Sequence, residues 1–106
     1  MTPKMKQDWM TNKINVAIQV LPQAGSTISY ELVDKAIEAI RETGFTYEVC
    51  PFETVVECSY SELPDLLEKI HTATRSAGAS RMLTNLKIQV DFEKPVTIDD
   101  KMEKYR

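Results

Sequence analysis

The chain reads as a small α+β domain with the element order β-α-β-β-α-β. Three observations predict this. Residues 14–21 and 83–92 alternate with the period of a strand, and residues 45–52 and 54–59 are rich in the β-branched and aromatic side chains of strands. Residues 29–43 and 61–77 repeat apolar side chains at spacings of three and four, the stripe of an amphipathic helix. The two kinds of segment follow one another as two βαβ halves. At 106 residues the chain suits one domain, since domains run to ~100–200 residues.

Residues 1–12 are polar and without period, so a flexible arm precedes a single domain over residues 13–106. Trp9 is the one residue of the arm suited to docking, on the body or on a partner. In the first strand Ile14, Val16, Ile18 and Val20 share one face, and Asn15, Ala17, Gln19 and Leu21 the other. Pro22 has no N–H for a ladder and is expected to end it, with residues 23–27 as a loop. The first helix follows over residues 29–43. Leu32, Val33, Ala36, Ile37 and Ile40 form its stripe, Ser29 or Thr27 caps its start, and Gly44 accepts the left-handed turn at its end.

Residues 45–52 and 54–59 are rich in β-branched and aromatic side chains. They read as a hairpin whose connection, around Pro51 to Glu53, is longer than a two-residue turn. Ser61 is expected to cap the second helix, with Pro64 in its first turn, a stripe from Leu63, Leu66, Leu67, Ile70, Ala73 and Ala77, and Gly78 closing it. The last strand is residues 83–92, with Leu86, Ile88, Val90 and Phe92 on one face. A final helical turn is placed near residues 99–105. The whole is the ferredoxin-like arrangement, a four-stranded antiparallel sheet with two helices on one face.

The uncovered face is the informative one. It carries Gln19, Glu57, Asn85 and Lys87 beside apolar Leu21, Phe52 and Val55. Buried unpaired polar groups cost ~1–3 kcal/mol each, so a dry interface is disfavoured and a wet interface or a small polar ligand site is favoured. The first and last strands are central neighbours in this arrangement. Gln19 then approaches Asn85, and Glu57 comes from the strand on the other side. A plain cross-strand ion pair between Glu57 and Lys87 is an equal alternative to a ligand site.

Several chemistries lack their residues. Thirteen basic and sixteen acidic side chains give a net charge of −3, which argues against a general grip on nucleic acid. No apolar run has membrane-spanning or signal-peptide length, and two cysteines make no disulfide framework, so the expectation is a cytoplasmic protein without a membrane partner. The three glycines are isolated, which excludes a glycine-rich phosphate loop. His71 is the only histidine and lies beside the stripe of the second helix; with Cys50 and Cys58 it makes no signalled metal site or nucleophile pair. Neither catalytic nor metal-binding residues are assigned.

The residues 18–22 (Ile-Gln-Val-Leu-Pro), 33–37 (Val-Asp-Lys-Ala-Ile), 44–57 (with Tyr47-Glu48, Pro51, Thr54 and Glu57), 84–88 (Thr-Asn-Leu-Lys-Ile) and 97–101 (Thr-Ile-Asp-Asp-Lys) occur in an order that resembles the small thiamine-binding protein family. The resemblance runs from about residue 15 to 105. It implies a ferredoxin-like fold, homodimers or homotetramers built through sheet contacts, no catalysis and no cofactor. It also implies binding of thiamine or its hydroxymethylpyrimidine part as the small-molecule partner. Gln19, Thr54, Glu57, Asn85 and Lys87 are carried over as ligand-binding residues. Phe52 suits stacking on either ring, and Glu57 or Glu53 suits the thiazolium charge. The hydroxyl of Thr54 suits a turn equally well. Cys58 stands where the family usually has glycine, which adds bulk on the helix-facing side. The alternative is a regulatory or scaffold module whose open face serves only oligomerisation; a small isomerase or oxygenase on the same fold is the weaker third.

Overall fold

The structure, a computed structural model, describes residues 8–25 and 27–106. Its strands are β1 (Lys13–Ala24), β2 (Thr27–Ile28), β3 (Thr46–Val49), β4 (Thr54–Ser59) and β5 (Arg81–Gln89). Its helices are α1 (Tyr30–Glu42), α2 (Leu63–Ser76) and the short α3 (Ile98–Met102). All strand pairs are antiparallel, and the sheet runs β5-β1-β4-β3. This is the expected ferredoxin-like sheet with one addition. Gln23 pairs with Arg81 on one edge of β1 and with Ile28 on the other, so the short β2 lies on the same edge as β4.

The core forms where the period-two face of β1 meets the two helical stripes. Ile14, Val16 and Ile18 pack with Val56 and Cys58 of β4, Ala36 and Ile40 of α1, and Leu63, Leu66 and Ile70 of α2. Burying a large aliphatic side chain is worth ~1.5–3 kcal/mol, so this cluster is the main stabilising term. Thr74, not Ala77, completes the α2 stripe: it is buried, and its hydroxyl donates to the Ile70 carbonyl, which removes the cost of hiding it.

Pro22 does not end β1. A strand residue points its N–H and C=O to the same edge, and the Pro22 carbonyl accepts from the Ser29 N–H at 3.1 Å. The missing N–H therefore faces the β2 edge, past the last residue of β4, and the β5 ladder runs through Pro22↔Met82 undisturbed. The expected loop at residues 23–27 is thereby replaced by the end of β1, a turn at Gly25 and the start of β2; Ser26 lies outside the described residues.

The α1 ends match expectation. The Ser29 side chain accepts from Leu32 N, and Gly44 takes a φ of 79° after the helix. The β3–β4 connection is tighter than expected. Val49 pairs with Thr54, and the Cys50 N–H donates to the Glu53 carbonyl at 2.9 Å, leaving only Pro51 and Phe52 at the tip. The last strand begins and ends earlier than the alternation suggested, at Arg81 and Gln89. Of the N-terminal arm, residues 1–7 lie outside the described residues. Residues Asp8–Thr11 form a 3-10 turn whose Trp9 ring lies edge-on to Tyr60 and Phe92, at 4.8 and 5.0 Å.

Ser59, not Ser61, prepares the second helix. The Glu62 carboxylate accepts from the Ser59 N–H at 2.9 Å and from its hydroxyl at 2.8 Å, across a 3-10 turn that leads into α2. Those two bonds hold the Glu62 carboxyl below its ordinary pKa. A depressed folded-state pKa stabilises above the unfolded value, ~4.3, and the gain is lost as pH falls through the folded value. Glu62→Gln should lower Tm at neutral pH by a few degrees, from about 1 kcal/mol for a lost cap at ~4–8 °C per kcal/mol, and the difference should vanish in strong acid. Thermal unfolding of both proteins across pH checks this.

Candidate functional site

The register of β1 assembles the open face. Gln19 pairs with Asn85 across β1 and β5, and the Asn85 Nδ2 donates to the Gln19 Oε1 at 3.1 Å. One step along, Ala17 stands between Lys87 of β5 and Val55 of β4. Alanine has nothing beyond Cβ to obstruct a long side chain, and the Lys87 ammonium reaches Glu53 at 3.1 Å. Glu57 therefore does not pair with Lys87. The lysine lies level with Val55, between the two glutamates, and Glu57 is already engaged: its Oε1 accepts from the Ile98 N–H at 2.8 Å.

That bond belongs to a C-terminal cover. The Val96 N–H donates to the Lys13 carbonyl at 2.8 Å, and the Asn15 Nδ2 donates to the Val96 carbonyl at 3.1 Å. Lys101 bonds Gln89, and Arg106 bridges Glu48 at 2.6 Å and Asp99 at 3.0 Å. Residues 96–106 thus lie over the Asn15 end of the face, and the Gln19 end stays open. Seating the cover leaves the buried Asn15 Oδ1 without a partner among the described residues. An under-satisfied carbonyl oxygen is the cheaper kind of orphan, because its second lone pair is often left unused.

Two clefts meet at the hairpin end. The first lies on the sheet face, holds about 310 Å³, and is lined by Asn15, Ala17, Glu53, Val55, Lys87 and Gln89, with Ile88 and Lys101 at its margin. The second is a narrower space of about 90 Å³ on the helix side. Val33 and Ile37 of α1, Ile18 to Val20 of β1, and Val49 to Thr54 of the hairpin line it. The six expected ligand residues divide between these places. Gln19, Asn85 and Lys87 stand together on the open face. Glu57 sits under the C-terminal cover. Thr54 is buried on the helix side, and Phe52 is 82% exposed at the hairpin tip; both line the second cleft, as does Gln19.

Glu53, considered in the sequence only for its charge, is common to both clefts. Its ion pair with Lys87 is exposed on the lysine side, 76%, and such pairs contribute only ~0–1 kcal/mol, so breaking it costs little. Val33, Ile37 and Val20 are among the lining residues not expected from the sequence. Their half-buried place at the margin of the core was the available signal, but stripe residues read as core. Cys58 lines neither cleft. It is fully buried beneath the sheet, where burial chiefly, and then Glu62, push its thiol pKa up to about 11 against the opposing effect of Lys13. Cys50 lines the second cleft and is half-buried. Among the described residues, no group of three or more His, Cys, Asp or Glu side chains is placed to hold a metal ion. His71 meets Thr84 Oγ1 at 2.8 Å on an exposed helix face.

The model of the thiamine-binding protein family matches residues 16–106. This chain belongs to that family. It is 40% identical over 93 residues to a UPF0045 protein of Clostridium perfringens, which covers 87% of this chain and 96% of the relative. Among solved structures it resembles a Bacillus cereus domain of unknown function, DUF77, with a TM-score of 0.82, 36% identity and coverage of 93% of this chain and 95% of that one. It also resembles a Thermotoga maritima protein described as a candidate for thiamine biosynthesis or salvage, with a TM-score of 0.78, 33% identity and coverage of 89% and 99%. No helix among the described residues of this family member is long and apolar enough to cross a membrane.

Two outcomes follow from the site. A thiol reagent should label Cys50 in the native protein and Cys58 only on unfolding, because a raised thiol pKa leaves almost no thiolate at neutral pH; mass spectrometry of the labelled peptides reads this. Glu57→Ala should release the C-terminal cover, at about 1–3 kcal/mol for the orphaned Ile98 N–H and its charged partner. Hydrogen exchange should then rise first in residues 96–102.

Proposed function

We propose that this protein binds thiamine or its hydroxymethylpyrimidine part without catalysing a reaction, as a cytoplasmic carrier, store or sensor. The observation that carries this reading is Glu53 at the junction of two clefts, in a chain of the thiamine-binding family. An aminopyrimidine needs a donor and an acceptor side by side, and the hairpin end of the sheet supplies amide and backbone groups of both kinds. The thiazolium ring carries a positive charge, and Glu53 is the carboxylate within reach of either cleft. Phe52, exposed at the tip, is placed to cover a ring. The description of the Thermotoga maritima relative supports the same chemistry.

The open face favours a second role alongside binding. Leu83, 56% exposed, pairs with Leu21 on that face beyond the ligand-facing residues, and on the other side of the same edge strand Ile88 is 43% exposed. We propose that homodimers or homotetramers cover these side chains. If oligomerisation were the only role, no pyrimidine would bind.

Thermal-shift titration decides between them. A ligand at ~100 times its Kd adds ~2.7 kcal/mol to the folded state. At ~4–8 °C per kcal/mol this raises Tm by roughly 10–20 °C, less in an oligomer. Glu53→Gln should weaken thiamine about tenfold, a difference of ~1.4 kcal/mol, and leave the neutral hydroxymethylpyrimidine nearly unchanged. Equal loss for both ligands would remove Glu53 as the counter-charge. No shift with either would leave the scaffold reading.

A further inference from the structure

We infer that the backbone N–H and C=O of Val20 read the edge of the ligand's ring, inside the narrow cleft between α1 and the hairpin tip. This rests on the binding reading above and adds the place and the recognising groups. The sheet has a gap beside β1. On one edge of β1 the partners in β4 stop at Ile18↔Thr54, and those in β2 begin at Gln23↔Ile28. The Ser29 N–H donates to the Pro22 carbonyl, which shows that even-numbered residues turn their peptide groups to this edge. Val20 is the even residue inside the gap. Its side chain packs with the core and it pairs across with Thr84, but its N–H and C=O face the other way, with no hydrogen-bond partner among the described residues.

The gap opens into the space walled by Val33, Ile37 and Ile18 and closed at the tip by Pro51 and Phe52. Half-buried backbone groups cost free energy unless something satisfies them. Pro22 contributes no N–H, so the gap offers one donor and one acceptor only. That is too little to add a peptide strand, and it matches one edge of a small ring. In a 4-aminopyrimidine a ring nitrogen accepts and the adjacent exocyclic amine donates, in one plane. The Val20 N–H donates and its C=O accepts, in the complementary order. The space, about 90 Å³, is smaller than the ~150 Å³ that encloses a benzene ring, so the ring enters edge-first and leaves its substituent at the mouth, near Glu53.

The competing place is the sheet-face cleft, where the side-chain amides of Asn15 and Gln89 would do the reading. Side-chain amides rotate and present donor and acceptor in either order, whereas the order on a strand is fixed, and turning the ring over to match it would carry its substituent away from the mouth of the cleft. The two sites therefore differ in how they treat a ring with the pattern reversed. The test titrates 15N-labelled protein with 4-amino-5-hydroxymethyl-2-methylpyrimidine and with its 4-oxo counterpart, whose ring nitrogen carries a hydrogen and whose carbonyl accepts. The amino ring should move the Val20 amide resonance most, and the oxo ring should bind at least tenfold more weakly. Ile37→Trp, which fills the cleft from α1, should abolish binding of the amino ring, and Gln89→Ala in the sheet-face cleft should not. Largest shifts at Ala17, Lys87 and Gln89, or equal affinity for the two rings, would overturn the assignment to Val20 and leave the binding reading intact. Absence of any shift with either ring would overturn the binding reading itself. Should Ile37→Trp unfold, the comparison of the two rings on the unchanged protein decides.

Discussion

Every other element takes its position from the pairing of β1. The strand is twelve residues long and is used on both faces and both edges. Its even residues, Ile14 to Val20, meet α1 and α2; its odd residues, Asn15 to Leu21, form the middle of the open face. A slip of one residue would put Asn15 and Gln19 under the helices and Ile14 and Val16 on the open face, so the alternation strongly specifies the register. Once β5 pairs along nearly the whole of one edge, β4 and β2 must share the other. They do not fill it, and the interval at Val20 results.

The polar residues of the open face do two different kinds of work. Asn15 and Glu57 capture backbone groups of the returning C-terminal segment, the carbonyl of Val96 and the N–H of Ile98. These are buried or half-buried bonds to main chain, and losing one partner leaves the other unsatisfied. Gln19, Asn85, Lys87 and Glu53 satisfy one another at the exposed end. Their bonds exchange readily with water or with a ligand, since exposed pairs contribute little to stability. The same residue types thus stabilise the chain at one end of the face and remain available for binding at the other.

Cys58 is absorbed by the core. Its side chain, on the helix-facing side of β4, lies against the α2 cluster, fully buried, with its thiol kept protonated. It fills space beneath the sheet and leaves both clefts to other residues. The thiol that borders a cleft is Cys50, carried to the hairpin end by the tight turn at Pro51 and Phe52.

Periodicity and the cap residues determined the element order, the helix-facing and open faces and the α1 caps, because these depend on neighbours in sequence and on the alternation of strand side chains; the approach of Gln19 to Asn85 followed from the ferredoxin-like arrangement, which sets the first and last strands side by side. Glu57 and Thr54 were identifiable as polar residues near the hairpin, but not as a capture point for Ile98 N–H and a wall of a helix-side cleft. Those roles depend on where residues 96–106 return and on how α1 lies over the hairpin. The tight turn at Pro51, the continuation of β1 through Pro22 and the open edge at Val20 share one cause. Each depends on which edge of a strand is occupied by a neighbour distant in sequence, and a chain's own alternation of side chains carries no record of its edges. Only the tertiary structure decided them, because hydrogen-bond partners along a strand are set by the strands that arrive beside it.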